Sequence, residues 1–526
     1  MPSRAILIFT SLLACVGSNA QVFDRYYGGE GAEKMGAMVR TPDGGYLIAG
    51  SSSSFTSFGL GLDPPHSRTG YVVKTNGSGI PEWSFTLGDT IHLEYVGIAL
   101  RDDGGYMLVG KTQFISSDPW RIVLAHITTT GELVWCKEIR AANGIQLLPR
   151  RFLASGDDEY LITGEIILSG AGTGFNSDQM AIKVNGDGDI LWSVRHGMNT
   201  MLQFSRASDA VKLNNGGYLV CGARNFGVAV QLVSMDASGN YLWDRTHASQ
   251  VFYGEPRMAR VNGRVVLMGD HMSGPLVMKM DDTGEVLWQH VYAHEQLMQF
   301  PVFDAWENGE IVLAATIQGE PDGIVIVHLD PEGVVLSATR YGPDDRSIRA
   351  EQIVAHPDGS ITLGYTSVVA GETFLDMGLV HLESTEDGYL APCDHEPTTV
   401  ESLVVPPLSD SSVMTSNPII SLTVTDQAWV TTSNGASWPV CINVEVVEAN
   451  GAIHGPELFP NPTTGSFTIE LIEESAVTIT DLLGAVVLQR TIGSGRTSLE
   501  LPRSGMYLVH IRSEAGTTIR KLLVDR

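Results

Sequence analysis

The chain is 526 residues long, with 57 glycines, a charged share of only 18% and a formal net charge of −27. That length exceeds what one hydrophobic core fills, so two or three domains are expected, and the glycine surplus suits short strands joined by tight turns. The acidity disfavours phosphate backbones and anionic lipid as partners, so no nucleic acid is expected to bind.

The N-terminus opens with Met1 and Arg4, continues through the apolar runs Ala5 to Phe9 and Leu12 to Val16, and ends in Gly17-Ser18-Asn19-Ala20. A basic start, a short apolar core and small residues before a cut site predict a signal peptide over residues 1–20, cleaved after Ala20. That run is too short to span a bilayer, and no other stretch approaches the roughly 18 apolar residues of a membrane helix. Cys15 leaves with this segment; Cys136 and Cys221 sit inside apolar patterns and read as buried small hydrophobes.

From Asp43 onward a phrase recurs. Asp43-Gly44-Gly45-Tyr46 returns as Asp103-Gly104-Gly105-Tyr106, as Asp158-Glu159-Tyr160, and as Asn215-Gly216-Gly217-Tyr218, with weaker copies at Asn262-Gly263, Asn308-Gly309 and Asp358-Gly359. Seven copies at a mean period of about 52 residues indicate blades or solenoid turns. A second phrase ends in Trp83, Trp135, Trp192, Trp243 and Trp288, with an Asn/Asp-x-x-Gly turn before all of these but Trp135, and its Trp is missing from the last two copies. Apolar runs of five to eight residues bounded by such turns are strands joined by hairpins. Each repeat therefore spells four strands, A to D, with the Trp opening strand D. The fold expected is all-β: a seven-bladed β-propeller over residues 21–392, followed by a small C-terminal immunoglobulin-like β-sandwich over 457–526. The seventh repeat runs into Ala391-Pro392-Cys393 without a fourth strand, whereas Phe23 to Gly29 looks like a strand D ending. That N-terminal strand is predicted to complete the seventh blade and so to protect the last open edge.

Residues 393–456 lack the repeat and read as an extended connector. Cys393 and Cys441 bracket part of it, and a disulfide between them would contribute about 4 kcal/mol in the chain-entropy model. Residues 457–526 carry eight acidic and seven basic side chains, so nearly all the acidity belongs to the preceding part.

Strands that alternate in direction put the tight A–B and C–D turns on one face and the long B–C and D–A loops on the other. The long-loop face and the mouth of its channel are the candidate site, because binding residues concentrate on loops over a rigid scaffold. Its loops carry Phe55, Phe58, His66, His92, Trp120, Phe175, His196, Phe226, His247, Tyr253, His271 and His294. These side chains either present stacking platforms for a glycan or peptide or pack on one another. Asn185-Gly186-Asp187-Gly188-Asp189 has the alternating oxygens of half a calcium loop but lacks a distal Glu, and a turn accounts for it. No catalytic motif, metal-ligand spacing or cofactor fingerprint is found, so no cofactor is expected.

Three resemblances add to this reading. Pro460-Asn461-Pro462-Thr463-Thr464-Gly465, the Gly484 turn, Gly505-Met506-Tyr507 and the closing Lys521-Leu522-Leu523-Val524 occur in the order of a type A C-terminal sorting domain of the type IX secretion system of Bacteroidetes. The resemblance implies recognition by the outer-membrane secretion machinery, removal of the domain, and cargo released or anchored at the cell surface. The repeats themselves resemble the Asp-Gly-Gly-Tyr propeller repeats of such cargo. Asp281 to Trp288 also resembles the tryptophan-docking motif of quinoprotein propellers, although those typically have eight blades and a vicinal cysteine pair. The implied function is that of an exported binding or adhesion module for an extracellular glycan or protein. A propeller enzyme acting on extracellular glycans is the alternative, and a quinone-dependent oxidoreductase a third.

Overall fold

In the computed structural model the described residues are 22–524, apart from 30, 56–67, 89–91, 114–117, 169–176, 198–204, 225–228, 249–254, 319–321, 343–345, 370–374, 386–387, 391–394, 405–414, 419–421, 427–430, 433–435, 442–456, 460–462, 464–465, 472, 482–485, 502–504 and 514–515. They contain strands and no helix, and fall into two compact units, 1–443 and 444–526.

Among the described residues the first unit holds seven antiparallel sheets, each with four main strands that are consecutive in sequence except in the seventh, where the fourth is the N-terminal strand. Their first strands are Glu33–Arg40, His92–Leu100, Gln146–Gly156, Ser205–Lys212, Arg257–Val261, Met298–Ala305 and Arg346–Ala355. Second and third strands are buried on both faces, as in Tyr46–Ser52 and Thr69–Thr75, which explains their near-continuous apolar runs. Fourth strands such as Val286–Ala293 and Val335–Tyr341 begin with exposed side chains and become buried along their length.

The recurring phrase has a local cause. Asp43 Oδ1 accepts the amide of Gly45 at 3.1 Å, Asp103 does the same for Gly105 at 2.8 Å, and Asn215 for Gly217 at 3.0 Å. The first glycine takes the left-handed backbone the turn requires, with φ of +86° at Gly44. The second is needed for proximity: a Cβ on Gly45 would lie 1.9 Å from the Thr75 carbonyl oxygen, and one on Gly217 2.3 Å from that of Met235. Tyr46 then buries its ring and hydrogen-bonds Thr362 Oγ1 of the seventh sheet at 2.7 Å.

The tryptophans join successive sheets. Trp83 of the first sheet donates its indole N–H to the Thr129 carbonyl of the second at 3.0 Å, and Trp192 of the third does so to Ala237 of the fourth at 3.1 Å. Each ring covers the left-handed glycine of the neighbouring turn: a Cβ on Gly131, Gly188, Gly239 or Gly284 would lie 2.7–2.8 Å from Trp83, Trp135, Trp192 or Trp243, and one on Gly333 3.0 Å from Trp288. The N-terminal strand Phe23–Gly28 pairs antiparallel with Leu375–Thr385, so it is the fourth strand of the seventh sheet. Its Phe23 lies over Gly79 of the first sheet, where the series would otherwise need a Trp.

Within residues 393–456, read from sequence as an extended connector, the described residues form short strands on the outer edges of the sheets. His395–Pro397 pairs with the sixth sheet, Glu401–Val404 with the fifth, Thr415–Pro418 with the third, Leu422–Asp426 with the second, Thr431–Thr432 with the first, and Ala436–Cys441 with the N-terminal strand of the seventh. Among the described residues the segment thus visits five sheets in descending order, passing over the fourth, and then the seventh's outer strand, covering edges that would otherwise offer unpaired backbone groups. Sequence periodicity cannot show this, because each piece is only two to six residues long. The Cys393–Cys441 pairing involves side chains outside the described residues.

In the second unit, Glu457–Phe459, Ser466–Leu471 and Gly495–Glu500 form one sheet, and Ser475–Asp481, Val486–Ile492, Gly505–Ser513 and Gly516–Val524 another. Phe467, Ile469, Val477, Ile479, Val509 and Ile511 share a core between them. Gly505 opens a strand and Tyr507 is buried in that core; Lys521 pairs through its backbone with Leu508. Pro460, Asn461, Pro462, Gly465 and Gly484 lie outside the described residues.

Candidate binding site at the mouth of the axial cavity

The seven first strands line a shared interior. One cavity of about 260 Å³ takes residues from the first, third, fifth, sixth and seventh sheets, and another of about 420 Å³ takes residues from the first to fifth and seventh. In six of these strands the pairing register slips by a bulge; the fifth, Arg257–Val261, is regular. Bulges re-aim side chains out of the alternating pattern. Arg150, Phe300 and Glu351 are among the residues that the pairing skips; Phe300 lies near the beginning of its strand, and Arg150 and Glu351 lie closer to the middle of theirs.

Arg150 joins Glu255 Oε1 at 2.6 Å and Glu165 at 3.5 Å, while Arg206 approaches the same Glu255 oxygen at 3.9 Å. Arg349 sits 3.6 Å from Glu351, whose Oε1 also accepts the Thr366 hydroxyl at 3.0 Å. The Arg349 guanidinium lies 4.1 Å from the centre of the Phe300 ring. Phe300 is partly exposed and holds φ at +52°, a strained value for a bulky side chain, and its amide is tied at 2.8 Å to Asp270 Oδ1. A cavity of about 240 Å³ opens between Arg206, Glu255, Arg257, Asp270, Phe300 and Arg349, and a second of about 270 Å³ lies beyond Phe300 toward Gln318, Thr366 and Leu375.

Its carboxyl groups are shifted in opposite directions. Burial pushes Asp270 up to about 6, against the opposing pull of the Phe300 amide and Arg349. Burial likewise raises Glu351. Burial would raise Glu255 too, but Arg150, Arg206 and Arg257 together bring it below the ordinary glutamate value. Burial lowers Arg257 from the usual arginine value.

The loop residues singled out from sequence fall elsewhere. Phe55 packs on Tyr71, with ring centres 5.2 Å apart. Trp120 meets His92 edge-on at 5.2 Å and carries the Lys111 ammonium at 5.0 Å, and Lys111 and His92 both reach Glu94. His196 is buried against Met235 Sδ at 3.0 Å, and burial drives it down to about 4. His294 bonds Thr398 at 2.8 Å, His271 accepts the Ser273 amide at 3.2 Å, and His247 is buried. Phe58, His66, Phe175, Phe226 and Tyr253 lie outside the described residues. Asn185 Oδ1 accepts the amides of Asp187 at 3.1 Å and Asp189 at 2.8 Å, so the turn itself uses that oxygen. The sequence points to the mouth but not to these residues, because most of them sit on strands and not on loops; charged side chains within apolar strand patterns, as at Arg150, Arg257 and Arg349, are the signal that marks them.

Residues 457–525 match the model of the secretion system C-terminal sorting domain. No curated protein matches the chain. Among solved structures, a protein of unknown function from Dyadobacter fermentans is 13% identical, with 68% of this chain and 98% of that one covered and a TM-score of 0.38. The NanB sialidase of Streptococcus pneumoniae is 10% identical over 72% of this chain and 70% of its own, at a TM-score of 0.38. PorZ, a surface component of the type IX secretion system of Porphyromonas gingivalis, is 11% identical over 95% of this chain and 85% of its own, at 0.23. No helix among the described residues is long and apolar enough to cross a membrane. The chain ends in a sorting domain of the kind that engages the type IX secretion machinery, and it is a protein exported to the cell surface or released from it.

Proposed function

We propose that the exported part is a seven-bladed β-propeller, closed by its N-terminal strand and bound round by residues 395–441, which acts as a binding or adhesion module. Closure is supported by the repeated Trp-on-glycine contact, which Phe23 and Gly79 continue from the seventh sheet to the first. The observation that carries the binding reading is the mouth itself: a strained, partly exposed Phe300 flanked by Arg349 and bordered by two cavities. Concave sites with an aromatic wall and a few convergent polar groups are where ligands bind. Residues 1–20 are a signal peptide, the 457–526 domain is an immunoglobulin-like sandwich, and the working part precedes it. Glycan-array and pulldown screens on residues 21–526, compared with a Phe300→Ala variant, test the site. Ligands captured equally by both proteins would exclude the mouth.

A second reading, a glycan-cleaving enzyme, is favoured by one observation: Glu255 and Asp270 border one cavity with their carboxyl pKa values pushed in opposite directions. Release of reducing ends from an arrayed glycan, lost in Asp270→Asn, would establish it over stable capture.

A further inference from the structure

The binding reading leaves the ligand class open, and the charges at the mouth narrow it; the inference here rests on that reading. In a chain with 33 basic and 60 acidic residues, three guanidiniums, those of Arg206, Arg257 and Arg349, border one cavity of about 240 Å³. Two of the three have a carboxylate at hand: Arg206 approaches Glu255 and Arg349 approaches Glu351. Arg257 differs. It opens its strand at the floor of the mouth and feels Asp209, Glu255 and Glu351, yet among the described residues none places a carboxylate oxygen within 4.0 Å of its guanidinium. A partly buried guanidinium without an ion pair is costly unless something supplies the anion.

We propose that this cavity is the carboxylate subsite of a saccharide site: Arg257 takes the acid group of a uronic-acid unit, with Arg206 and Arg349 beside it, and Phe300 provides the stacking wall. Arginine suits this role because its planar fork matches a carboxylate bidentately. The remaining lining fits a sugar better than a lipid or an inorganic anion. Glu255 and Asp270 are acceptors for ring hydroxyls, and the second cavity, on the far side of Phe300 and Arg349, offers Gln299, Gln318 and Thr366 with an apolar wall of Val368 and Leu375. Each cavity is smaller than the roughly 300–1,000 Å³ of a typical ligand pocket, so each accommodates about one ring. Two adjoining cavities that share Phe300 and Arg349 correspond to a disaccharide with its acidic unit over Arg257.

The test is calorimetric titration of residues 21–526 with digalacturonate and with the same disaccharide after reduction of its carboxyl groups. The acidic form should bind at least about tenfold more tightly, the scale of one charge-assisted hydrogen bond. Arg257→Gln should abolish that preference while leaving the neutral form unchanged, Arg257→Lys should retain part of it, and Phe300→Ala should weaken both forms. Equal affinity for the two forms, an unchanged preference in Arg257→Gln, or no binding of either overturns the carboxylate subsite. Neutral binding that depends on Phe300 would leave the mouth as the binding site and remove only the acid specificity. Arrayed ligands insensitive to Phe300→Ala would instead remove the mouth.

Discussion

Phe23 lies over Gly79 as Trp83 lies over Gly131: a Cβ on Gly79 would be 2.4 Å from the Phe23 ring, and one on Gly131 2.8 Å from the indole of Trp83. The strand Phe23–Gly28 therefore uses, across the junction of the seventh and first sheets, the same contact that Trp83, Trp135, Trp192, Trp243 and Trp288 make within the series. Asp24 beside it accepts the Tyr365 hydroxyl at 2.5 Å and that of Tyr341, so two sheets hold the same buried carboxylate. Phe23→Ala should cost about 3–5 kcal/mol of stability, whereas Phe23→Trp should be nearly neutral, as measured by denaturant unfolding of the full chain. A Trp variant as unstable as the Ala variant would show that the position is not equivalent to those of the tryptophans.

The two glycines of the repeated phrase should respond differently. Gly44→Ala adds a methyl group in open space and costs only the left-handed backbone, about 1–2 kcal/mol. Gly45→Ala puts a methyl group 1.9 Å from a backbone oxygen and should cost distinctly more. Equal losses in thermal unfolding would mean that turn conformation, not close approach, selects both.

Glu33 is fully buried beneath Gly28, with its carboxylate accepting the Ser52 hydroxyl at 2.7 Å and that of Ser54. Burial raises it to about 7. A carboxyl with a raised pKa holds its proton more tightly in the folded state. Its contribution is therefore complete below the unfolded value near 4.5 and is lost as pH climbs to about 7. The loss is on the order of 3 kcal/mol. Glu33→Gln should flatten the stability profile between pH 4.5 and 7 relative to the native chain, and parallel profiles would refute this assignment.

The encircling segment should protect the edges it covers. Leu422 and Val424 are partly buried against the cluster that contains Ile139 and Leu147, and Leu422–Asp426 pairs with Leu133–Ala141. A Leu422→Asp, Val424→Asp double variant should accelerate amide exchange over Leu133–Ala141 and leave Tyr241–Ala248 of the fourth sheet unchanged. Uniform acceleration would indicate global destabilisation instead.

The acid preference proposed at the mouth should sharpen at low pH. Asp270 faces Arg349 and the Phe300 amide, and it shares its cavity with Arg206, Arg257, Glu255 and Glu351. Protonating Asp270 as pH falls through about 6 removes one negative charge while a sugar carboxylate stays ionised. Digalacturonate should therefore bind more tightly at pH 5 than at pH 7.5, and Asp270→Asn should remove most of that difference.

What is local and periodic could be read directly from the order of residues. An Asp or Asn two residues before a glycine amide, a glycine required at positive φ and a Trp at fixed spacing each act within a few residues, so seven copies could be counted and four strands assigned to each. The sorting domain was legible for the same reason: its turns and its closing strand follow in fixed order over a short stretch. What depends on residues far apart came only from the folded arrangement. The segment from His395 to Cys441 has no periodicity because its strands are two to six residues long and take their register from edges 54 to 417 residues away. The mouth has no motif because bulges, which change which way a side chain points, bring Arg150, Phe300 and Glu351 together with Arg257 from four different sheets.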